Sequence, residues 1–218
     1  MKRLLSLASL LSAFALCSPE ALADIGINPR AGTLGYGIEI SAGLSDKWSL
    51  GVGFNSRRYK RPSTTEGVDY DYDLRLRSGE VLANFHPFSG AFRLRAGVLF
   101  NRNEFLLTGK PDASGNYEFN GQTFPASAVG TLTGDLSFSK SAPYIGLGWG
   151  NRPNGSWGVT FDLGAVYQGK PKLGLEATGA ASNPTLAAAL EAERQQAEDD
   201  LSSFKWWPVI QLGMYFRF

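Results

Sequence analysis

Cysteine, histidine, excess charge and long apolar runs are all scarce in this chain of 218 residues. Its one cysteine, Cys17, lies in the first apolar segment, so no thiol remains downstream for a disulfide or a thiolate metal site. One histidine, His86, is too few for a histidine-based metal centre. No metal and no cofactor is expected. Lys and Arg number 21 against 20 Asp and Glu, and no basic run or face suggests nucleic acid. Beyond residue 23, no apolar stretch approaches the roughly 20 residues of a membrane-spanning helix.

The two ends are the most specific parts. Lys2 and Arg3 form a positive start, and Leu4 to Cys17 an apolar core. Ala21-Leu22-Ala23 then supplies the small-x-small pattern of a cleavage site. Residues 1–23 therefore read as a secretory signal peptide, and 24–218 as one exported domain. The lipoprotein alternative would need a small residue before Cys17, where Leu16 stands. At the other end, apolar residues occupy 210, 212, 214, 216 and 218, closing on Phe218.

Period two runs through most of the chain, which predicts strands with one apolar and one small or polar face. Leu34, Tyr36, Ile38, Ile40, Ala42 and Leu44 alternate with Gly35, Gly37, Glu39, Ser41 and Gly43. Trp48, Leu50, Val52 and Phe54 repeat the pattern after a short turn at 45–47. Further strands are predicted over 72–87, 92–107, within 131–149, over 157–178 and over 206–218. A phase flip near Ser78-Gly79 predicts a bulge. Seven strands leave the two ends on opposite sides, so an eighth is assigned to Asp24–Arg30, with a turn near Pro29 to Gly32. Connectors alternate between short (45–47, 87–91, 150–156) and long (61–71, 108–130, 179–205). Aromatic residues flank each short turn: Trp48, then Phe85, Phe88 and Phe92, then Trp149 and Trp157. Short inner turns, long outer loops and aromatic girdles are the pattern of a transmembrane β-barrel. The expected fold is all-β, an antiparallel transmembrane barrel of eight strands.

One segment breaks the period. Asn183-Pro184 offers a helix cap and a proline at the first helical position. Leu186, Leu190, Ala197, Leu201 and Phe204 then follow helical spacing, opposite Glu191, Glu193, Glu198, Asp199 and Asp200. This predicts an amphipathic helix over about 184–203 within the last long loop. Its apolar stripe needs a seat, and the barrel mouth beside Trp206-Trp207 is the nearest one, so the helix is expected to lie over that mouth, acidic face outward.

The same strand phases turn Glu39, Glu80, Asp162, Arg93, Arg95 and Arg217 away from lipid. Such charges form either a selectivity ring in a pore or a mutually neutralising plug. Mixed signs at one level favour the plug, because an eight-stranded barrel is just wide enough for side chains to fill. His86 precedes Pro87 at a turn on the inner side, away from where a lipid-modifying Ser–His pair would work. Gly35-x-Gly37, Gly51-x-Gly53 and Gly146-x-Gly148-x-Gly150 continue strand alternation instead of opening a helix, so they read as small inward residues and not nucleotide loops.

The C-terminal strand, with Gly213, Phe216 and Phe218, resembles the assembly signal of bacterial outer-membrane barrels, departing from it at Leu212, where a polar residue is usual. With the signal peptide, strand periodicity and loop alternation, residues 24–218 resemble the small Gram-negative barrels of the OmpA-barrel and OmpW type. Ala142-Pro143-Tyr144-Ile145-Gly146-Leu147-Gly148-Trp149-Gly150 is similar to stretches of other proteobacterial outer-membrane barrels. The resemblance implies residence in the outer membrane as a monomer, contact with its lipids and lipopolysaccharide, and assembly by the barrel-assembly machinery. It implies no activity, since this architecture hosts several functions. The expected function is a non-enzymatic barrel, structural or weakly pore-forming. A narrow porin-like channel for small solutes comes second, and a lipid-A or phospholipid-modifying enzyme third.

Overall fold

The computed structural model describes residues 25–65, 68–150 and 156–218, with the side chains of 60–65 and 68–72 left aside. The expected signal peptide, 1–23, lies outside the described residues. In chain order the elements are β1 (Ile25–Gly32), β2 (Gly35–Ser45), β3 (Trp48–Thr65), β4 (Val68–Phe85), β5 (Arg93–Asn101), β6 (Glu104–Gly109), β7 (Asn116–Phe119) and β8 (Gln122–Pro125). There follow α1 (Ala126–Val129), β9 (Leu132–Ser137), β10 (Ser141–Trp149), β11 (Trp157–Tyr167), β12 (Lys172–Ala177), α2 (Pro184–Asp200) and β13 (Trp206–Arg217).

Eight of these strands close a barrel in the order β1-β2-β3-β4-β5-β10-β11-β13, and β13 returns to pair with β1. Closure satisfies every strand edge internally, which a sheet inside hydrocarbon requires. The outer face is apolar and bare of protein: Ile38, Ile40, Val98, Phe100, Ile145, Phe161, Leu163 and Leu212 are all exposed. In water that surface would be prohibitive; in lipid it is the matched solvent. At the end where β1 starts and β13 finishes, rings cluster. Trp48 and Phe85 lie 4.7 Å apart, Phe92 and Trp149 5.4 Å, and Trp149 and Phe161 6.1 Å. This is the aromatic girdle expected at the short turns.

Several expectations need correction. No bulge occurs at Ser78-Gly79, for β3 and β4 stay in register from Trp48↔Phe85 to Thr65↔Val68. Leu76, Ser78, Glu80, Leu82 and Asn84 all face inward; the apparent phase flip arose because Leu76 and Leu82 are lumen residues that happen to be apolar. The irregularity lies instead at Gly43/Ser45. The first strand runs two residues further than expected, turning at Thr33-Leu34. Thr33 ties this turn to β13: its N–H donates to the Ile210 carbonyl (3.0 Å), and its hydroxyl donates to the Pro208 carbonyl (3.0 Å) and accepts from the Ile210 N–H (3.1 Å).

The long loops are also more ordered than sequence alone suggests. Strand pairing carries β3 and β4 into the expected 61–71 loop. The runs over 92–107, 131–149 and 157–178 each divide into two strands. Beyond the barrel, β6, β9 and β12 extend β4 as an open sheet. On it sits an apolar cluster of Tyr117, Phe119, Phe124, Val129, Leu132, Leu186, Ala189 and Leu190. Helix α2 begins as anticipated, with Asn183 Oδ1 accepting the Leu186 N–H at 3.1 Å. Its seat differs: α2 buries Leu186 and Leu190 in this outer cluster, against β12 and the β7–β8 hairpin. Nor is its acidic face wholly outward. The carboxylates of Glu193 and Glu198 accept the backbone N–H groups of Asn120 (2.9 Å) and Leu173 (3.0 Å). The reason is that the excursion between β5 and β10 presents Tyr117, Phe119, Phe124, Val129 and Leu132 as an apolar surface for the helix.

Candidate functional site

Inside the barrel, six charged side chains form one chain of alternating sign: Glu80–Arg30–Glu39–Arg95–Asp162–Arg93. Arg30 pairs with Glu39 at 2.6 Å and with Glu80. Arg95 pairs with Glu39 and, at 2.6 Å, with Asp162. Arg93 closes the series on Asp162 at 2.6 Å and donates to the Gly150 carbonyl at 2.8 Å. Each of the six side chains is only 1–2% exposed. Three guanidiniums against three carboxylates leave no net charge.

Neutral side chains satisfy part of what remains, although Arg30 Nε, Arg93 Nε and Asn28 Nδ2 are buried without a hydrogen-bond partner among the described residues. Asn55 donates to Glu80 Oε2 (3.1 Å) and accepts from Gln211 (3.1 Å), while Asn84 Oδ1 accepts from Arg95 Nε (2.8 Å). Thr160 donates to Asn28 Oδ1 at 3.2 Å. Buried polar groups are costly unless so partnered.

Inward glycines make the space for these long side chains. A Cβ on Gly148 would stand 2.5 Å from Asp162 Oδ1 and 2.6 Å from Arg93 Nε. One on Gly53 would stand 2.7 Å from an Arg30 terminal nitrogen, and one on Gly51 would stand 2.9 Å from Glu39 Oε1. Tyr144 lies across Gly146 and Gly164 in the same way. Gly51, Gly53 and Gly148 are thus sockets of the charge network. Towards the outer end the lumen turns apolar, with Leu34, Leu82, Leu99, Ala142, Tyr144, Val166 and Val209 packed together and Trp207 against them.

Five of the six lumen residues read from sequence, Glu39, Glu80, Asp162, Arg93 and Arg95, are brought into this network. Arg217 is half-buried at the end of β13, where its N–H donates to the Ser156 carbonyl. It shares the inward phase and lies beyond Arg93 and Asp162, at the barrel's end. Arg30 was missed because Pro29 and Gly32 read as a turn. Gly26, Asn28 and Arg30 nonetheless keep an inward phase that could have revealed it. In the terminal strand, Gly213 faces Asn28 and Arg30, whereas Phe216 and Phe218 point outward.

His86 serves the turn. Its Nδ1 lies 3.0 Å from the Gly90 carbonyl, which can only accept, so that nitrogen carries the proton. Its backbone N–H donates to the Lys47 carbonyl, joining two turns at 2.7 Å. Burial first, then the Arg93 and Arg217 charges, hold the imidazole below its usual value, against the Gly90 hydrogen bond. Among the described residues no serine hydroxyl is bonded to it, and no group of three His, Cys, Asp or Glu side chains is placed to hold a metal.

Two solved structures share this architecture over nearly their whole length. CarO2 of Acinetobacter baumannii has a TM-score of 0.61 and 25% identity, covering 89% of this chain and 98% of its own. CarO of Acinetobacter baumannii has a TM-score of 0.60 and 25% identity, covering 91% of this chain and 99% of its own. No family model and no curated protein matches the sequence.

Proposed function

We propose that this chain, a bacterial outer-membrane β-barrel protein, is a non-enzymatic barrel with a closed lumen, structural or at most weakly pore-forming. The observation that carries the reading is the alternating chain of six buried charges. A selectivity ring presents charge of one sign to passing ions. Here every carboxylate is consumed by a guanidinium, and an interior of eight strands has little room for anything further. The apolar layer above adds a second obstruction, since narrow apolar constrictions lose their water. His86 is committed to its turn through the Gly90 carbonyl, and among the described residues no serine hydroxyl is bonded to it. The barrel works as a monomer in this reading, handed to the assembly machinery through Gly213, Phe216 and Phe218.

The test is conductance of the refolded protein in a planar bilayer. Little steady current is expected from the unaltered chain. Large, stable, ion-selective currents would support a solute channel and refute the closed lumen.

A further inference from the structure

On the flank formed by β3, β4 and β5, the lipid-facing band ends along a single row. Phe54 and Phe100 both pair across to Gly79, and both rings are about half exposed. The next outward positions are charged. On β5 the outward series Leu94, Ala96, Val98, Phe100 gives way to Arg102; on β4, Phe85, Ala83, Val81, Gly79 gives way to Arg77 and Arg75. At about 3.3 Å per residue, Arg77 lies roughly 7 Å along the strand beyond that last row, at headgroup depth. Arg102 lies at the same level, its N–H bonded to the Arg77 carbonyl at 2.9 Å. Lys140 stands beside it, its carbonyl accepting the Asn101 N–H at 2.7 Å.

The charges are unbalanced here, unlike those of the lumen. Above Arg77, Arg58 and Arg75 share the single carboxylate of Asp73, at 2.5 and 3.0 Å, and Glu104 is 4.0 Å from Arg75. Among the described residues, no carboxylate forms an ion pair with Arg77, Arg102 or Lys140. The surface is also concave. Two adjoining hollows of about 430 and 460 Å³ share Arg102 and Glu104, and the second includes Lys140. They lie where β5 breaks into β6 and where β9 breaks into β10. The far side of the barrel differs: β11 and β13 end outward in Tyr167 and Trp206, with rings 5.0 Å apart.

We propose that Arg77, Arg102 and Lys140 bind a phosphate of the lipopolysaccharide headgroup on this outer flank. The phosphates of that glycolipid lie where its sugars meet its acyl chains, which is the level of the Phe54–Phe100 row plus one step. Guanidinium forks match phosphate oxygens in pairs, and such charge-assisted bonds strengthen next to hydrocarbon. The phenyl rings below would meet the first acyl carbons. This inference uses the outer-membrane location alone and is independent of the closed lumen, so failure of either leaves the other standing.

The experiment measures binding of bisphosphorylated lipid A, and of the same lipid stripped of phosphate, to the refolded protein in detergent by native mass spectrometry. The bisphosphorylated form should bind at least about tenfold more tightly. The triple variant R77Q/R102Q/K140Q should lose a similar factor, while its unboiled gel mobility stays that of the unaltered barrel. Equal affinity for the two lipids, or for the variant and the unaltered protein, overturns the proposal. Competition by millimolar inorganic phosphate as effective as lipid A would overturn the lipid as the source. Should the variant not fold, the comparison of the two lipids on the unaltered protein decides alone.

Discussion

Replacing Arg95 by methionine keeps most of the side-chain volume and removes the cation that joins the two halves of the lumen network. Arg95 contacts Glu39, Asp162 at 2.6 Å and Asn84 Oδ1 at 2.8 Å. Without it Glu39 keeps Arg30 and Asp162 keeps Arg93, yet three carboxylates face two guanidiniums inside a membrane. Breaking a buried pair from one side costs about 3–5 kcal/mol. Glu39→Gln makes the opposite imbalance and should cost about as much by the same reasoning. The double variant R95M/E39Q removes one charge of each sign and leaves Glu80–Arg30 and Asp162–Arg93 as two neutral pairs. Its loss should therefore be far from additive, about 2 kcal/mol where the single losses sum to roughly 6–10. Urea unfolding in lipid vesicles, followed by tryptophan fluorescence, measures all four corners of the cycle. Single losses below about 0.5 kcal/mol, or strict additivity, would refute the account of a coupled network.

Gly37→Ala places a Cβ 2.5 Å from the Phe54 carbonyl and closer still to Asn55 Oδ1; this overpacking should cost about 1–3 kcal/mol in the same assay. His86 gives a pH signature: because its folded value is depressed below 6.5, its contribution is complete above pH 6.5 and is lost as pH falls through the lower folded value. His86→Asn should flatten that part of the stability profile, and an unchanged slope between pH 8 and pH 5 would count against it. Leu186, fully buried in the outer cluster, becomes charged in Leu186→Asp. The helix should undock and residues 180–203 become sensitive to protease, at a local cost of at least about 2–5 kcal/mol, with the barrel's heat-modified gel shift intact.

What the sequence made legible was local. Alternation in Trp48 to Asn55 or Val159 to Gln168 fixes two faces, and each face meets one solvent, lipid or lumen. The cap Asn183-Pro184 announces a helix because both its residues act within one turn. Partner changes were not legible. Period two continues across 102–103 and 138–140, where the chain leaves one neighbour and takes another, since each residue alternates whichever strand lies beside it. The seat of α2 depended on Tyr117, Phe119 and Phe124, more than sixty residues away. Arg30 was hidden by its neighbours: Pro29 and Gly32 signal a turn, yet Pro29 sits outward in β1 opposite Ile38. The basic flank was not legible either, because Arg77, Arg102 and Lys140 come from separate stretches of chain and their common height follows only from cross-strand register.

The lumen network also bears on how register is specified. Lipid accepts any apolar side chain, so the outer face of β4 or β5 discriminates weakly between pairings. Charges discriminate strongly. A one-residue slip in β5 would turn Arg93 and Arg95 outward, at a cost of about 2–4 kcal/mol for a cation near the bilayer midplane and less for Arg93 beside the aromatic girdle, and would bare their carboxylate partners inside. A two-residue slip keeps the faces right but carries Arg95 about 7 Å along its strand, away from Glu39 and Asp162 together. Both slips break more than one ion pair, because each interior charge in the chain touches two others. An apolar lumen packed with leucine would resist neither shift so well, and its strands would read as continuous apolar runs. The alternating chain thus explains why an eight-stranded barrel with a closed interior retains six buried charges: they make one pairing of β1, β2, β4, β5 and β11 far cheaper than its neighbours.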